Sequence, residues 1–236
     1  MSTSETLRDV LARDRRTDAS ALVDAAANRE YDYRRCLTTA WKAGLFFRNE
    51  GVRGGMRVGV AGDPIPESVL SFLGAGLLGA VVEFDTAADE QTKALVVPTE
   101  RLDEFDAPPE TRRVGYGTEP DDPEVAYWER DVWSENPTLP PDRVAPDAPL
   151  LAADGRTYSH GELLRAARQV AREHDLTTDD TVAVRGPLTH PGVVAAGILA
   201  PLAAGATALL PDATTTADVG VGDGPEDVTV DPDAVL

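Results

Sequence analysis

Short apolar runs recur along the chain, separated by longer stretches with helical spacing. The runs at 57–61, 80–84, 94–97 and 182–184 are too short for helices and do not alternate between apolar and polar residues, the pattern of parallel strands buried on both faces. Residues 21–24 and 30–33 read as two further short strands around the turn Ala27-Asn28-Arg29. Helical spacing predicts a first helix over about 5–14, with Ser4 as its cap and Leu7, Val10 and Leu11 along one face. A second covers about 35–49 and is closed by Gly51 and Gly54-Gly55; a third, strongly apolar, covers about 67–78 behind Pro64 and Pro66.

From 103 to 148 the composition shifts to Pro, Asp and Glu, which predicts a linker. Trp128 and Trp133 argue against free disorder there, because burying them would pin the segment to a neighbouring surface. Beyond it the earlier plan recurs. Arg156-Thr157-Tyr158 matches Tyr31-Asp32-Tyr33, a helix over about 161–174 matches the second helix, and Val182-Ala183-Val184 matches Val58-Gly59-Val60. An apolar helix over 192–203 matches the one behind Pro66, Gly205-Ala206 with Asp212 matches Gly79-Ala80 with Asp85, and 219–221 falls where 94–97 fell. The expected fold is therefore α/β, with two repeated βαβ-type subdomains and mostly parallel sheets. The subdomains are placed at 1–102 and, in partial form, at 149–236, with 103–148 packed on the surface between them.

With 236 residues, 42% of them apolar, the chain can bury a core without disulfide staples. Its 41 acidic and 22 basic residues give a formal charge of −19, which disfavours nucleic acid and anionic membranes as partners. The acidic residues are dispersed rather than blocked, and Lys42 and Lys93 are the only lysines. That combination is the pattern of salt adaptation: scattered carboxylates stay hydrated where salt screens repulsion, and arginine pairs with them in planar fashion. Cys36 has no partner, and His160, His174 and His190 are too far apart for a local zinc motif, so no disulfide and no metal site is expected. No run of about 18 apolar residues occurs and no apolar signal region follows Met1, which implies a cytoplasmic protein.

Three stretches carry a family pattern. The first comprises Arg29-Glu30-Tyr31-Asp32-Tyr33, the segment from Gly51 through Gly54-Gly55-Met56-Arg57 to Val60, and Gly79-Ala80. The second runs through Trp133, Glu135, Pro140-Pro141, Val144 and Pro146-Asp147. The third holds Ser159-His160-Gly161-Glu162-Leu163-Leu164, Pro187-Leu188-Thr189-His190-Pro191-Gly192, and Pro201-Leu202 with Gly205-Ala206-Thr207. In order and spacing they resemble the AMP-binding, adenylate-forming superfamily, which includes acyl-CoA synthetases, luciferases and peptide-synthetase adenylation domains, with its "TY…L…GV..GDRV", "TH.NL" and "PL.H..G…PL..GA" patterns. The resemblance implies the N-terminal part of the acyl-CoA synthetase-like fold, AMP-forming ligase activity, and ATP or AMP and CoA as cofactors. It also places His190, with Pro187 and Gly192, at the border of an acyl pocket or cleft. Read without it, His190 is a strand-end histidine that caps the helix near Pro191.

Two departures oppose that activity. Where the superfamily carries a Ser/Thr- and Gly-rich phosphate loop with a lysine, "TSGTTG.PKG", this chain has Leu150-Leu151-Ala152-Ala153-Asp154-Gly155-Arg156-Thr157, which predicts a tight hairpin with Asp154-Gly155 at its turn. Asp154 repels phosphate, and Arg156 alone does not rebuild a nest of donors. The second departure is length, since the superfamily's later nucleotide motifs, lysine and mobile C-terminal domain would lie beyond Leu236. The expectation is a superfamily protein without the phosphate loop and the C-terminal half, not catalytic in carboxylate adenylation, with no catalytic residue and no bound cofactor assigned. Two alternatives remain open: a regulatory subunit that docks on a full-length synthetase or self-associates, and an AMP-dependent acid–CoA ligase with a remodelled site.

Three other features read as structural. Tyr116-Gly117-Thr118-Glu119 is an ordinary turn rather than the superfamily's "YG.TE". Gly220, Gly222 and Gly224 form a turn after a strand, because Pro225 follows and no helix opens. Asp85 and Asp212 stand at equivalent strand ends, where open α/β sheets place ligand crevices, and are equally well explained as helix caps.

Overall fold

The computed structural model describes residues 5–85 and 88–236, so Ser4 lies outside the described residues. The first helix is shorter than its apolar spacing predicts: α1 covers Leu7–Val10 and gives way to a 3-10 turn at Arg13–Arg15. Its start is set by Asp9, whose carboxylate accepts the Thr6 amide at 2.9 Å. Hairpin β1 (Ser20–Asp24) and β2 (Arg29–Asp32) feeds α2 (Tyr33–Asn49). That helix begins earlier than predicted because Asp32 caps it, accepting the Arg35 amide at 2.6 Å. Next come β3 (Arg57–Val60), α3 (Pro66–Gly76), β4 (Val81–Phe84) and β5 (Thr92–Pro98).

The stretch 103–148 is more ordered than its composition predicts. It contributes β6 (Arg112–Tyr116), β7 (Ala126–Tyr127) and α4 (Trp128–Ser134). Trp128 is buried and its indole N–H donates to Ser71 Oγ at 3.0 Å, whereas Trp133 stays 41% exposed, its ring 5.4 Å from both Arg35 and Lys42 of α2. The second half then forms β8 (Pro149–Ala153), β9 (Arg156–Ser159), α5 (His160–Glu173) and β10 (Thr181–Val184). A helical run follows, built of α6 (Pro191–Val193), a π-helical turn over Val194–Leu199 and α7 (Ala200–Ala204). Strands β11 (Thr207–Leu210), β12 (Val219–Val221) and β13 (Thr229–Val230) complete the described fold.

Two sheets result, ordered β13-β12-β10-β11-β1-β2 and β7-β6-β5-β3-β4-β8-β9. Among the described residues only the β1–β2 and β8–β9 hairpins pair antiparallel. Each hairpin completes the sheet of the other half: β1 pairs in parallel with β11, and β8 with β4. The internal repeat is present, but its register differs from the one the sequence suggests. Both hairpins carry the same irregularity, between Ser20 and Leu22 and between Pro149 and Leu151. Matching these pairings aligns Arg29-Glu30-Tyr31 with Arg156-Thr157-Tyr158, so that the caps Asp32 and Ser159 coincide and Tyr33 corresponds to His160.

A continuous apolar core runs through both halves. Within it α2 and α3 pack backbone to backbone at Gly44 and Gly74. A Cβ on Gly74 would lie 2.7 Å from both Ala43 Cβ and the Gly44 amide nitrogen, with no flexible side chain to give way. Gly74→Ala is expected to destabilise the protein by about 1–3 kcal/mol through overpacking. A urea midpoint equal to wild type at matched salt would contradict this close approach.

Candidate functional site

The carboxyl ends of the parallel strands of both sheets meet at the loops that leave β3 and β10, where the Leu188 amide donates to Gly62 O at 3.4 Å. Asp85, at the end of β4 with φ +50°, accepts the Gly62 amide at 2.8 Å. A Cβ on Gly62 would lie 2.5 Å from Asp85 Oδ2 and 3.1 Å from Thr189 Cγ2, so the two loops approach closely there. Asp212 closes its own loop, accepting from the Thr215 hydroxyl at 2.7 Å and from the amides of Thr214 at 2.8 Å and Thr215 at 2.7 Å, and these bonds, the hydroxyl's first, hold its carboxyl below the usual range. Neither aspartate caps a helix, which corrects that reading of both strand ends.

The turn Asp154-Gly155 lies beside the end of β4, because β8 pairs Val82 with Leu151 and Glu83 with Ala152. It is a two-residue hairpin turn, with φ of +52° and +73° at its two positions. Arg156 is engaged rather than free: its guanidinium stacks 4.3 Å from the Tyr158 ring centroid and pairs with Glu162 at 3.3 Å. The start of α5 is closed as well. The His160 amide donates to Ala148 O at 3.0 Å, the Gly161 amide to Pro146 O at 2.7 Å, and the Glu162 amide to Ser159 Oγ at 3.2 Å. Glu162 accepts the Ser159 amide at 2.8 Å, a capping box that holds its carboxyl below the usual range and sets a negative charge at the helix start. Three inward-facing amides that in an open helix N-terminus would hold an anion are thus bonded within the chain.

His190 caps α6, with Nδ1 accepting the Gly192 amide at 3.1 Å and Nε2 3.0 Å from Asp233 Oδ1. Gly192 packs directly under the carbonyl of Pro232, where a Cβ would collide, and Pro187 is exposed on the same loop. His160 has a different setting. It is fully buried, its Nδ1 accepts the Leu7 amide at 3.2 Å, and burial pushes its pKa down to about 4. Tyr116-Gly117-Thr118 ends β6 and lines a crevice beyond the strand ends.

One pair escaped the sequence reading. Arg185, 10% exposed, donates to Glu226, whose side chain is 0% exposed. Its guanidinium also reaches the Asp212 carbonyl at 3.4 Å and the Thr215 carbonyl. Gly220 and Gly224 leave room for this carboxylate, since a Cβ on Gly220 would lie 2.6 Å from Glu226 Oε2. The glycines therefore wrap an internal ion pair, and their sole sequence signal was the absence of a following helix. Among the described residues no group of three or more His, Cys, Asp or Glu side chains could hold a metal ion, and no helix is long and apolar enough to cross a membrane.

Two measurements test these placements. Because His160 is harder to protonate folded than unfolded, the unfolded chain takes up the extra proton between the ordinary histidine value near 6.5 and about 4. Stability is expected to fall by about 3 kcal/mol as pH drops through that window, and His160→Gln is expected to flatten that part of the pH profile. Arg185→Met, which strands a buried carboxylate, is expected to cost about 3–5 kcal/mol, with most recovered in the Arg185→Met/Glu226→Leu double variant. Equal denaturation midpoints for the single and double variants would count against a buried pair.

No family model matches the sequence, and no curated protein matches it. Solved structures do. The anthranilate CoA ligase AuaEII in complex with anthranoyl-AMP covers 94% of this chain with 50% of its own, at TM-score 0.79 and 17% identity. Apo MatB from Rhodopseudomonas palustris covers 92% with 49% of its own, at TM-score 0.71 and 16% identity. The N-terminal domain of FACL13 from Mycobacterium tuberculosis covers 92% with 62% of its own, at TM-score 0.71 and 17% identity. The chain thus has the fold of the N-terminal part of acyl-CoA synthetase-like domains and spans about half the length of AuaEII and of MatB.

Proposed function

We propose that this chain is a member of the AMP-binding, adenylate-forming superfamily that does not itself activate carboxylates. Two independent lines support the relationship: the order of the sequence motifs across both halves, and a shared fold at identities too low to carry activity with them. The neighbours' own descriptions name a CoA ligase with anthranoyl-AMP bound, a peptide synthetase and a MatB with ATP bound. Each such reaction needs the phosphates of ATP to be held by converging donors and at least one cation.

The observation that carries the proposal is the hairpin turn at Asp154-Gly155. Two residues leave no loop to wrap a triphosphate, and Asp154 adds a negative charge where positive potential is required. Arg156 is tied to Glu162, and the amides at the start of α5 are bonded internally. A remodelled ligase would need a new set of donors at this place, and none of these groups is free to supply it.

The test is direct. Purified chain in concentrated potassium chloride is expected to give no ATP–pyrophosphate exchange with acetate, a fatty acid or anthranilate, and no saturable heat on titration with magnesium-ATP. Exchange above the no-enzyme background with any of these acids, or saturable nucleotide heat, would remove the proposal.

A further inference from the structure

Among the described residues four large apolar side chains are exposed: Met56, Trp133, Val228 and Leu236. Three of them fall at the two ends of one sheet. In the order β13-β12-β10-β11-β1-β2 the outermost strands are β2 and β13, and among the described residues neither is paired on its outer side. Trp133 is tied to β2 through Arg35, whose guanidinium lies 4.4 Å from the Tyr31 ring and 5.4 Å from that of Trp133. At the opposite end Val228 leads directly into β13, and Val235, next to Leu236, lines a hollow between β13 and α5.

The two ends carry opposite charge. Beside Trp133 stand Arg35 and Lys42, the latter donating to Trp133 O at 2.6 Å. Among the described residues neither cation makes an ion pair, although acidic residues outnumber basic ones by 41 to 22 in this chain. The acids on the neighbouring elements are engaged elsewhere: Asp32 caps α2, Asp131 pairs with Arg130 at 2.8 Å, and Glu135 accepts from the Asn49 side chain at 2.8 Å. Glu30 stays exposed without a bonded partner. Around β13 the balance is reversed. Its flanking hollows are lined by Glu173, Asp223, Asp231 and Asp233 and by no lysine or arginine, and Asp227 is exposed next to Val228. The bases at that end are His174 and His190, and His190 Nε2 is already 3.0 Å from Asp233.

We propose that copies of this chain associate head to tail, the β2 end of one against the β13 end of the next. Trp133 packs on Val228 and Leu236, while Arg35 and Lys42 meet the carboxylates of Asp223 and Asp227. The occupant is a second copy because each end supplies what the other lacks, an exposed aromatic with two unpaired cations on one and two aliphatic side chains among carboxylates on the other. Either end placed against its own kind would bring like charges together. Since the two ends lie on opposite edges of one sheet, each added copy presents a fresh end, so the contact extends a row rather than closing a pair. A net charge of −19 opposes the contact in dilute salt; concentrated salt screens that repulsion and weakens far less the pairs the contact buries. The turn at Asp154-Gly155 belongs to the other sheet, so the association does not depend on whether that turn admits a nucleotide.

Light scattering of the full chain over a concentration series in concentrated potassium chloride tests this. The wild type is expected to give a mass that climbs with concentration past twice that of one chain. Arg35→Glu/Lys42→Glu and Asp223→Lys/Asp227→Lys are each expected to remain single chains, because each sets like charges across the contact. An equimolar mixture of the two is expected to recover growth, since the cationic end of one then meets the acidic end of the other. Arg143→Glu/Arg165→Glu, an equal change of net charge at exposed sites elsewhere, is expected to grow as the wild type does. Trp133→Gln, at a side chain too exposed to hold up the fold, is expected to need at least about tenfold more protein for the same mass, as for an interface hot spot. The proposal is overturned if the wild-type mass stays at one chain or stops at two, if the mixture scatters no more than its components, if the Arg143/Arg165 variant loses growth as the Arg35/Lys42 variant does, or if Trp133→Gln matches the wild type.

Discussion

A parallel strand buried on both faces must satisfy its hydrogen bonds along both edges, and in this chain neither half can do so alone. The edge of β11 is met by β1, from the other end of the sequence, and the edge of β4 by β8. The exchange makes the two halves one folding problem. Side-chain contacts bridge them as well. Arg29, on the exchanged hairpin, joins Asp24 beside it to Glu67 on α3 of the other unit. Tyr33 donates to the carbonyl of Ala206 at 2.7 Å across the same seam, and its counterpart His160 accepts from Leu7. One position in the repeat thus became a tyrosine donor in one half and a neutral histidine acceptor in the other, each matched to a different backbone group.

The exchange also decides where chemistry could be placed. Because each hairpin extends a parallel sheet, its turn falls at the carboxyl ends of the strands, the side on which open α/β sheets take ligands. The turn of the first hairpin is held there by Asp24, which accepts the Ala27 amide at 3.2 Å, and the second by the two left-handed residues Asp154 and Gly155. Just past β10 and β3 the two sheets then diverge by what stands at one equivalent position: the Arg185 amide donates to Val221 O and the Ala61 amide to Val96 O, an arginine in one sheet and an alanine in the other. Pseudo-symmetry of the backbone and asymmetry of the filling coexist because the parallel ladder constrains only main-chain groups, leaving side chains past its end free to differ.

Much of this was legible in the sequence, for physical reasons that also mark the limit. Continuous apolar runs report burial on both faces, and Asp-Gly between two strands reports a turn needing positive φ twice, so the strands and the 154–155 hairpin could be read. His190 as a helix cap was readable from its place before Pro191. The register of the repeat was not, because Tyr31 and Tyr33 both offer a tyrosine to match Tyr158 and only the shared irregularity in strand pairing separates them. Apolar pattern also cannot say which sheet a strand joins, which hid the exchange. Strand β6 was hidden by its two arginines and its Pro- and acid-rich surroundings, and the Arg185–Glu226 pair by the long separation of its partners.

If the chain takes no triphosphate, as proposed, the charge of Asp154 is the more conspicuous reason and the backbone the deeper one. A nest for anions requires amides that are free and point inward together. Here the hairpin consumes its amides in strand pairing up to Ala153 and Arg156, and the next amides available, at the start of α5, are turned toward Ala148, Pro146 and the Ser159 hydroxyl. Those partners fix where β9 hands over to α5, and that junction sets the height of the hairpin against β4. Opening the site would therefore mean lengthening the loop and releasing the helix start together, a change in the main chain that no single side chain can supply. On the proposed reading, the same backbone that completes the neighbouring sheet is what closes this end of it to a triphosphate.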